Sequence, residues 1–341
     1  MSELKFSSAA ILGSGSFGMA MAKLLSPKLQ SVLLVGRDIE TIRTINLTHQ
    51  NPHYLSGVQL GDNVHASTLL ADCLAYPLIL FAVPTSATRE IAAALAAANL
   101  PTTATLLSCA KGIEKSTGDR MSEILREIFP QNPIAALSGP NHAEEIATEM
   151  ATCAVIGSSD HHLAVRLQDL LTFPHFRSYT SDDLAGIELG GALKNVYAIA
   201  AGMAHGLGLG DNAVAALVTR ALAEMTRLGV VLGGRMETFS GLSGVGDLIV
   251  TCFSPHSRNH RVGVALGQGQ TLEQAVAALG MVAEGVPNTL SIYQAARRSE
   301  VRTPIIDAVY AILYEGKSAP LAMQELLTRD PRPEHEQIGR L

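Results

Sequence analysis

Two lysines are the side chains of this 341-residue chain best suited by their surroundings to hold or move a proton. Lys194 lies in Gly190-Gly191-Ala192-Leu193-Lys194-Asn195-Val196-Tyr197, a segment that is otherwise small and apolar and reads as helix. Drawing a lysine out of water lowers its pKa toward neutrality, which suits a group that gives a proton to an alkoxide or takes one from an alcohol. The alternative is a lysine whose stem lies along the helix and whose head reaches water; both readings stay open. Lys111, in Cys109-Ala110-Lys111-Gly112, follows an apolar run. As a point cation at a strand end it could hold a phosphate or a carbonyl oxygen, or it could be an exposed loop lysine. Arg258 belongs to Pro255-His256-Ser257-Arg258-Asn259-His260-Arg261, shortly after Gly244-Val245-Gly246-Asp247. Its guanidinium is a bidentate fork for phosphate, with Ser257 and Asn259 as neutral donors, although such a run is commonly a solvated loop.

A glycine turn near the start points to a cofactor. The run Ala9–Leu12 leads into Gly13-Ser14-Gly15-Ser16-Phe17-Gly18, and Met19-Ala20-Met21-Ala22 then opens a helix. Strand, G-x-G-x-x-G and helix in that order form the context of a dinucleotide site. Gly13 permits the tight turn, Gly15 lets a pyrophosphate approach the backbone, and Gly18 lets helix and strand pack closely. The helix N-terminus adds free N–H groups and the positive end of its dipole. The next strand ends Val35-Gly36-Arg37-Asp38. An acid here would bind a ribose 2′-hydroxyl, and an arginine would suit a 2′-phosphate. Arg37 comes first, so the pattern leans to NADP(H), with NAD(H) as a second possible cofactor, and Asp38 reads as the N-cap of the following helix. A second glycine turn, Ser138-Gly139-Pro140-Asn141-His142-Ala143-Glu144-Glu145, offers N–H groups to an anion or to the nicotinamide amide. Acids in that first turn are explained by the helix dipole, and no metal site is expected.

These side chains need a frame. Short β-type runs (Ala9–Leu12, Val32–Gly36, Leu78–Val83, Ala104–Ser108, Ile134–Leu137, Ala154–Ile156 and Phe176–Tyr179) alternate with helix-type segments. That alternation predicts a doubly wound α/β fold, a parallel sheet covered by helices on both faces. From about Asp183 the β-type runs stop, and Leu184–Leu232 and the segments after it read as helices rich in alanine and glycine. The expected organisation is therefore a dinucleotide-binding domain over residues 1–182 and an all-helical C-terminal substrate and catalytic domain over 183–341. With 47% hydrophobic and 16% charged residues the chain is not of disordered composition, and its small residues predict close helix packing. A net charge of -6 without any basic block excludes the electrostatic footprint of a nucleic-acid binder. Four scattered cysteines fit a reducing compartment, and the absence of a basic, apolar start or a long apolar run predicts a cytoplasmic protein without membrane insertion.

Taken in order, G-S-G-S-F-G, the Lys111 turn, S-G-P-N-H-A, G-A-L-K-N-V, G-V-G-D-L and S-R-N make the chain resemble the bacterial NAD(P)-dependent glycerol-3-phosphate dehydrogenases over almost its whole length. The resemblance implies a Rossmann-type first domain and reversible reduction of dihydroxyacetone phosphate to sn-glycerol 3-phosphate for glycerophospholipid synthesis. It further implies a small phosphorylated substrate as partner and a homodimer. It assigns proton transfer to Lys194, with Asp247 orienting and charge-balancing that lysine and Lys111 as a further catalytic cation. Substrate contacts are implied for Lys111, Gly139, Asn141, Lys194, Asp247, Ser257, Arg258 and Asn259. Cofactor contacts are implied for Gly13, Gly15, Ser16, Phe17, Gly18, Arg37, Lys111, Ala143, Arg258, Val282 and Glu284. Asn141 stands where the family usually carries serine or threonine. The competing readings are a related reductase of a carboxylate substrate, such as a 3-hydroxy acid or 2-ketopantoate, and a non-catalytic NADP(H)-binding regulator.

Overall fold

A computed structural model describes residues 5–280, 282–330 and 333–334. Eight strands, β1 (Ser8–Leu12), β2 (Ser31–Val35), β3 (Val64–Ser67), β4 (Leu78–Phe81), β5 (Thr105–Ser108), β6 (Ile134–Ser138), β7 (Thr152–Gly157) and β8 (Phe176–Ser181), form one sheet in the order β3-β2-β1-β4-β5-β6-β7-β8. Six helices accompany them: α1 (Ser16–Leu25), α2 (Ile39–Thr48), α3 (Thr88–Ala97), α4 (Met121–Ile128), α5 (Ala143–Ala147) and α6 (His161–Leu171). Strand side chains alternate between the two faces. Ala9, Ile11, Val32, Leu34, Leu78 and Leu80 therefore bury into one layer, and Ala10, Leu12, Leu33, Val35, Ile79 and Phe81 into the other. This is the doubly wound sheet that the alternating runs predict.

Two features differ from the expectation. The sheet is not wholly parallel, because β6 and β7 pair antiparallel, with β8 parallel to β7. The connection explains it: α5 has five residues, about 7.5 Å of helix, too short to carry the chain back along a strand of about 17 Å. So β7 starts at the end where β6 stopped. The other feature is β3, an edge strand of sequence Val64-His65-Ala66-Ser67 with no apolar run to announce it. The Asn46 side chain covers part of its free edge, donating to the Ala66 carbonyl and accepting the Ala66 N–H.

After Asp183 the described residues are helical: α7 (Leu184–Gly206), α8 (Asp211–Val231), α9 (Met236–Phe239), α10 (Asp247–Phe253), α11 (Arg258–Gly267), α12 (Leu272–Ala277), α13 (Gly285–Arg298), α14 (Pro304–Tyr314) and α15 (Ala319–Leu327). Helix α7 is buried along nearly all its length and is the axis on which the others pack. Small residues set how close they come, as the composition predicts. A Cβ on Gly202 would run into the His260 carbonyl of α11, and one on Gly263 into the Ile199 carbonyl of α7. No helix among the described residues is long and apolar enough to cross a membrane.

A buried carboxylate ties α7 to the sheet layer. Glu188 accepts the Ser122 N–H at 2.8 Å, the Ser122 hydroxyl at 2.5 Å and an Arg120 N–H at 2.9 Å, all at the start of α4. Burial pushes its carboxyl pKa up, and the Arg120 charge and these donors pull against that. Removing the acceptor strands a cation and two donors. Glu188→Ala is therefore expected to lower stability by about 3–5 kcal/mol, against about 1 kcal/mol for the exposed neighbour in Glu123→Ala. Urea unfolding measures both, and a loss at position 188 no larger than that at 123 would contradict this role.

Candidate active site

The site lies where the C-terminal ends of β4, β5 and β6 meet α7 and α10. Lys111, just past β5, donates to the Gly139 carbonyl, to Asn141 Oδ1 and to Asp247 Oδ2, each at 2.8 Å. Its three N–H bonds thus all have protein partners. Lys194, on α7, reaches the other carboxylate oxygen, Asp247 Oδ1, at 2.8 Å and donates to Thr251 Oγ1 at 2.6 Å. Thr251 in turn donates to the Asp247 backbone carbonyl at 2.6 Å. Two of the three Lys194 donors are so engaged, and the third has no protein partner among the described residues. Lys194 is 5% and Asp247 1% exposed, which excludes the snorkelling alternative for Lys194.

Glycines make this approach possible. On α7, Gly190 and Lys194 share a face, being one turn apart. A Cβ on Gly190 would collide with the Ser243 carbonyl in the π-helical turn Leu242–Gly246, the turn that delivers Asp247 as the first residue of α10. A Cβ on Gly191 would lie 2.7 Å from Ser138 Oγ and 3.3 Å from Lys111 Cγ.

The electrostatics follow from burial and pairing. Burial works to raise the Asp247 pKa, but the Lys111 and Lys194 ammonium groups more than reverse this and hold the carboxylate below its ordinary range. Burial pulls Lys111 down to about 8, with Asp247 opposing and Lys194 adding to the fall.

The cofactor turn has the expected shape. Gly13 adopts φ +110°, where its Cβ would meet the Ala82 carbonyl at 2.5 Å, and a Cβ on Gly18 would strike the Gly13 carbonyl. Gly15 faces open space, and no side chain caps the N-terminus of α1, which begins at Ser16. Free donors beside an open backbone fit a pyrophosphate. Phe17 packs against the core of the sheet layer and Ala143 is buried at the start of α5. Arg37 is exposed past β2 and makes no hydrogen bond or ion pair among the described residues. Asp38 is the N-cap of α2, accepting the Thr41 N–H at 2.7 Å. Glu284 accepts the Thr85 N–H at 3.4 Å, and burial raises its carboxyl pKa.

The Ser257-Arg258-Asn259 run is not a solvated loop. Ser257 is the buried N-cap of α11, accepting the His260 N–H at 3.2 Å. Asn259 is buried, donating to Asn195 Oδ1 and accepting the Gly285 N–H, both at 2.9 Å. Arg258 donates to the Val282 carbonyl at 2.8 Å. Several further residues contribute, Asn195 from the motif that holds Lys194 and the others with no motif to mark them. Asn195 and Asn288 each donate to the Lys111 carbonyl at 3.0 Å, and Asn51 donates to the Ser14 carbonyl in the cofactor turn at 2.8 Å. Thr251 could have been found from its place one helical turn after Asp247.

A dinucleotide turn at the head of a doubly wound sheet, with two buried lysines sharing one carboxylate at the strand ends, defines a nicotinamide-dependent dehydrogenase. The family models for the N-terminus and the C-terminus of NAD-dependent glycerol-3-phosphate dehydrogenase match residues 8–164 and 183–324. The chain is 47% identical to a glycerol-3-phosphate dehydrogenase [NAD(P)+] of Pseudomonas entomophila, covering 97% of this chain and 96% of that one. It is 43% identical to that of Desulfitobacterium hafniense, over 97% and 94% of the two chains. The crystal structure of glycerol-3-phosphate dehydrogenase from Coxiella burnetii superposes with a TM-score of 0.92 at 36% identity, covering 95% of this chain and 99% of that chain. The chain belongs to the NAD(P)-dependent glycerol-3-phosphate dehydrogenase family.

The lowered pKa of Lys111 has a kinetic consequence. Above about pH 8 this ammonium is expected to lose its proton, and the site with it one positive charge. The kcat/KM for reduction, which reports the free enzyme, is expected to fall through that pH. Lys111→Arg, whose guanidinium stays charged, should lack that limb even if its rate is lower. An unchanged limb in the arginine variant would assign it to another group.

Proposed function

We propose that this protein catalyses the reversible reduction of dihydroxyacetone phosphate to sn-glycerol 3-phosphate, with Lys194 as the proton donor in reduction and the acceptor in oxidation. The observation that carries the reading is the one uncommitted N–H of a buried ammonium, held by Asp247 and Thr251 beside the sheet's C-terminal edge. The nicotinamide, when bound at the glycine turn, supplies the hydride to the ketone carbon. Lys194 delivers a proton to the oxygen as it becomes an alkoxide, leaving a neutral amine that is reprotonated after product leaves. Asp247 pairs with that lysine and orients its ammonium in the buried setting. Lys111 and Arg258 supply positive charge for the substrate's oxygens, and phosphate binding helps align the carbonyl with the cofactor. Gly139, Asn141, Ser257 and Asn259 complete the substrate side.

On the cofactor side the reading names Gly13, Gly15, Ser16, Phe17, Gly18, Arg37, Lys111, Ala143, Arg258, Val282 and Glu284. Arg37, exposed and without a partner among the described residues while Asp38 is committed to a helix cap, favours NADPH over NADH. The same reading carries a division into a cofactor domain and a helical catalytic domain at residues 182 and 183, a homodimer, and a cytoplasmic place supplying glycerophospholipid synthesis.

Steady-state reduction of dihydroxyacetone phosphate with each cofactor in turn tests this. Turnover should favour NADPH, and Arg37→Ala should remove most of that preference with little effect on NADH. Lys194→Ala should cost about 10²–10⁴ in kcat. Turnover of 2-ketopantoate but not of dihydroxyacetone phosphate would replace the reading, and a preference for NADH would overturn the role of Arg37.

A further inference from the structure

The turn between β6 and α5 contains a polar group that the proposed chemistry leaves unused. His142 Nε2 is buried and has no hydrogen-bond partner among the described residues. Buried polar atoms in native folds are nearly always paired, so an orphan beside a reaction centre calls for a ligand. Its neighbours place it there. The preceding residue, Asn141, accepts from Lys111 Nζ at 2.8 Å, and the next, Ala143, begins α5. The charges of Lys194, Lys111 and Asp247 all act on the ring, and the His256 ring stands opposite with centroids 6.3 Å apart and no hydrogen bond between the two. Burial, reinforced by both ammonium groups, holds the imidazole pKa down to about 4. The ring is therefore neutral near pH 7, suited to a hydrogen bond with an uncharged group and unsuited to holding phosphate.

Dihydroxyacetone phosphate has three polar ends, and this inference rests on that substrate reading. The ketone oxygen has Lys194 and the phosphate has cations, while the free hydroxyl on C1 has been given no partner. We propose that His142 recognises this primary hydroxyl through Nε2, which makes it a specificity-determining residue of the site. A site that hydrogen-bonds a substrate hydroxyl rejects the analogue lacking it, since its own polar group is then left unpaired.

The test compares dihydroxyacetone phosphate with hydroxyacetone phosphate, in which hydrogen replaces that hydroxyl, on the wild type, His142→Gln and His142→Leu. The wild type should prefer the hydroxylated substrate by at least about tenfold in kcat/KM. His142→Leu should lose about tenfold on it and less than about threefold on the analogue, which removes the preference. His142→Gln, which keeps a polar tip, should fall between. A wild type indifferent to the hydroxyl overturns the proposal, as does a glutamine or leucine variant that loses activity on both substrates in step. The wild-type ratio and the glutamine variant decide the matter if the leucine variant does not fold. A wild type that turns over neither compound would instead refute the substrate reading.

Discussion

One buried carboxylate holds the centre of this molecule together. Asp247 stands between two ammonium groups, giving one oxygen to Lys111 and the other to Lys194. Either lysine alone in this setting would carry a large desolvation cost, and the pair would repel each other. With the carboxylate between them the cluster keeps a single net positive charge. Lys111 comes from the sheet and Asp247 from the helices, so the interaction that organises the site also joins the two layers across it.

The surrounding structure exists to hold that carboxylate and its lysines in place. Gly190 admits the turn that ends in Asp247, and Gly191 makes room for the Lys111 stem. The Lys111 backbone is held from α7 and α13 by the amides of Asn195 and Asn288. Through Asn195 and Asn259 the same hydrogen-bonded line runs on to the N–H of Gly285 at the start of α13, beside Glu284. The segment assigned to the cofactor and the segment assigned to the substrate thus share one chain of buried amides. Such a network fixes geometry because each member, once displaced, leaves another polar group unpaired.

Much of the fold was legible because its signals are local. Strands β4, β5 and β6 are buried throughout and read as apolar runs, and the cofactor turn needs glycine at Gly13 for a positive φ and at Gly18 for a close approach. Strand β3 escaped because an edge strand held by one neighbour needs no apolar run. The direction of β7 escaped because it depends on the length of a connection rather than on the composition of a strand. In the site, the residues with unusual chemistry for their surroundings were visible, as Lys194 was in its apolar helix. The pairing of Lys111 with Asp247 was not, since 136 residues separate them and nothing local marks either for the other. Thr251 and Asn288 are ordinary polar residues until the fold brings them against a lysine. The Ser257-Arg258-Asn259 run looked solvated because the buried amide contacts of Asn259 are formed only with distant residues, Asn195 on α7 and Gly285 on α13.

The central claim is that Asp247 acts through Lys194, and a double-mutant cycle on kcat for dihydroxyacetone phosphate reduction measures it directly. Asp247→Asn and Lys194→Ala should each be severely impaired, and the double variant should be little worse than the poorer of the two, a coupling well above about 1 kcal/mol. Losses that simply add, to within about 0.5 kcal/mol, would show that the carboxylate and the lysine work independently and would contradict the account.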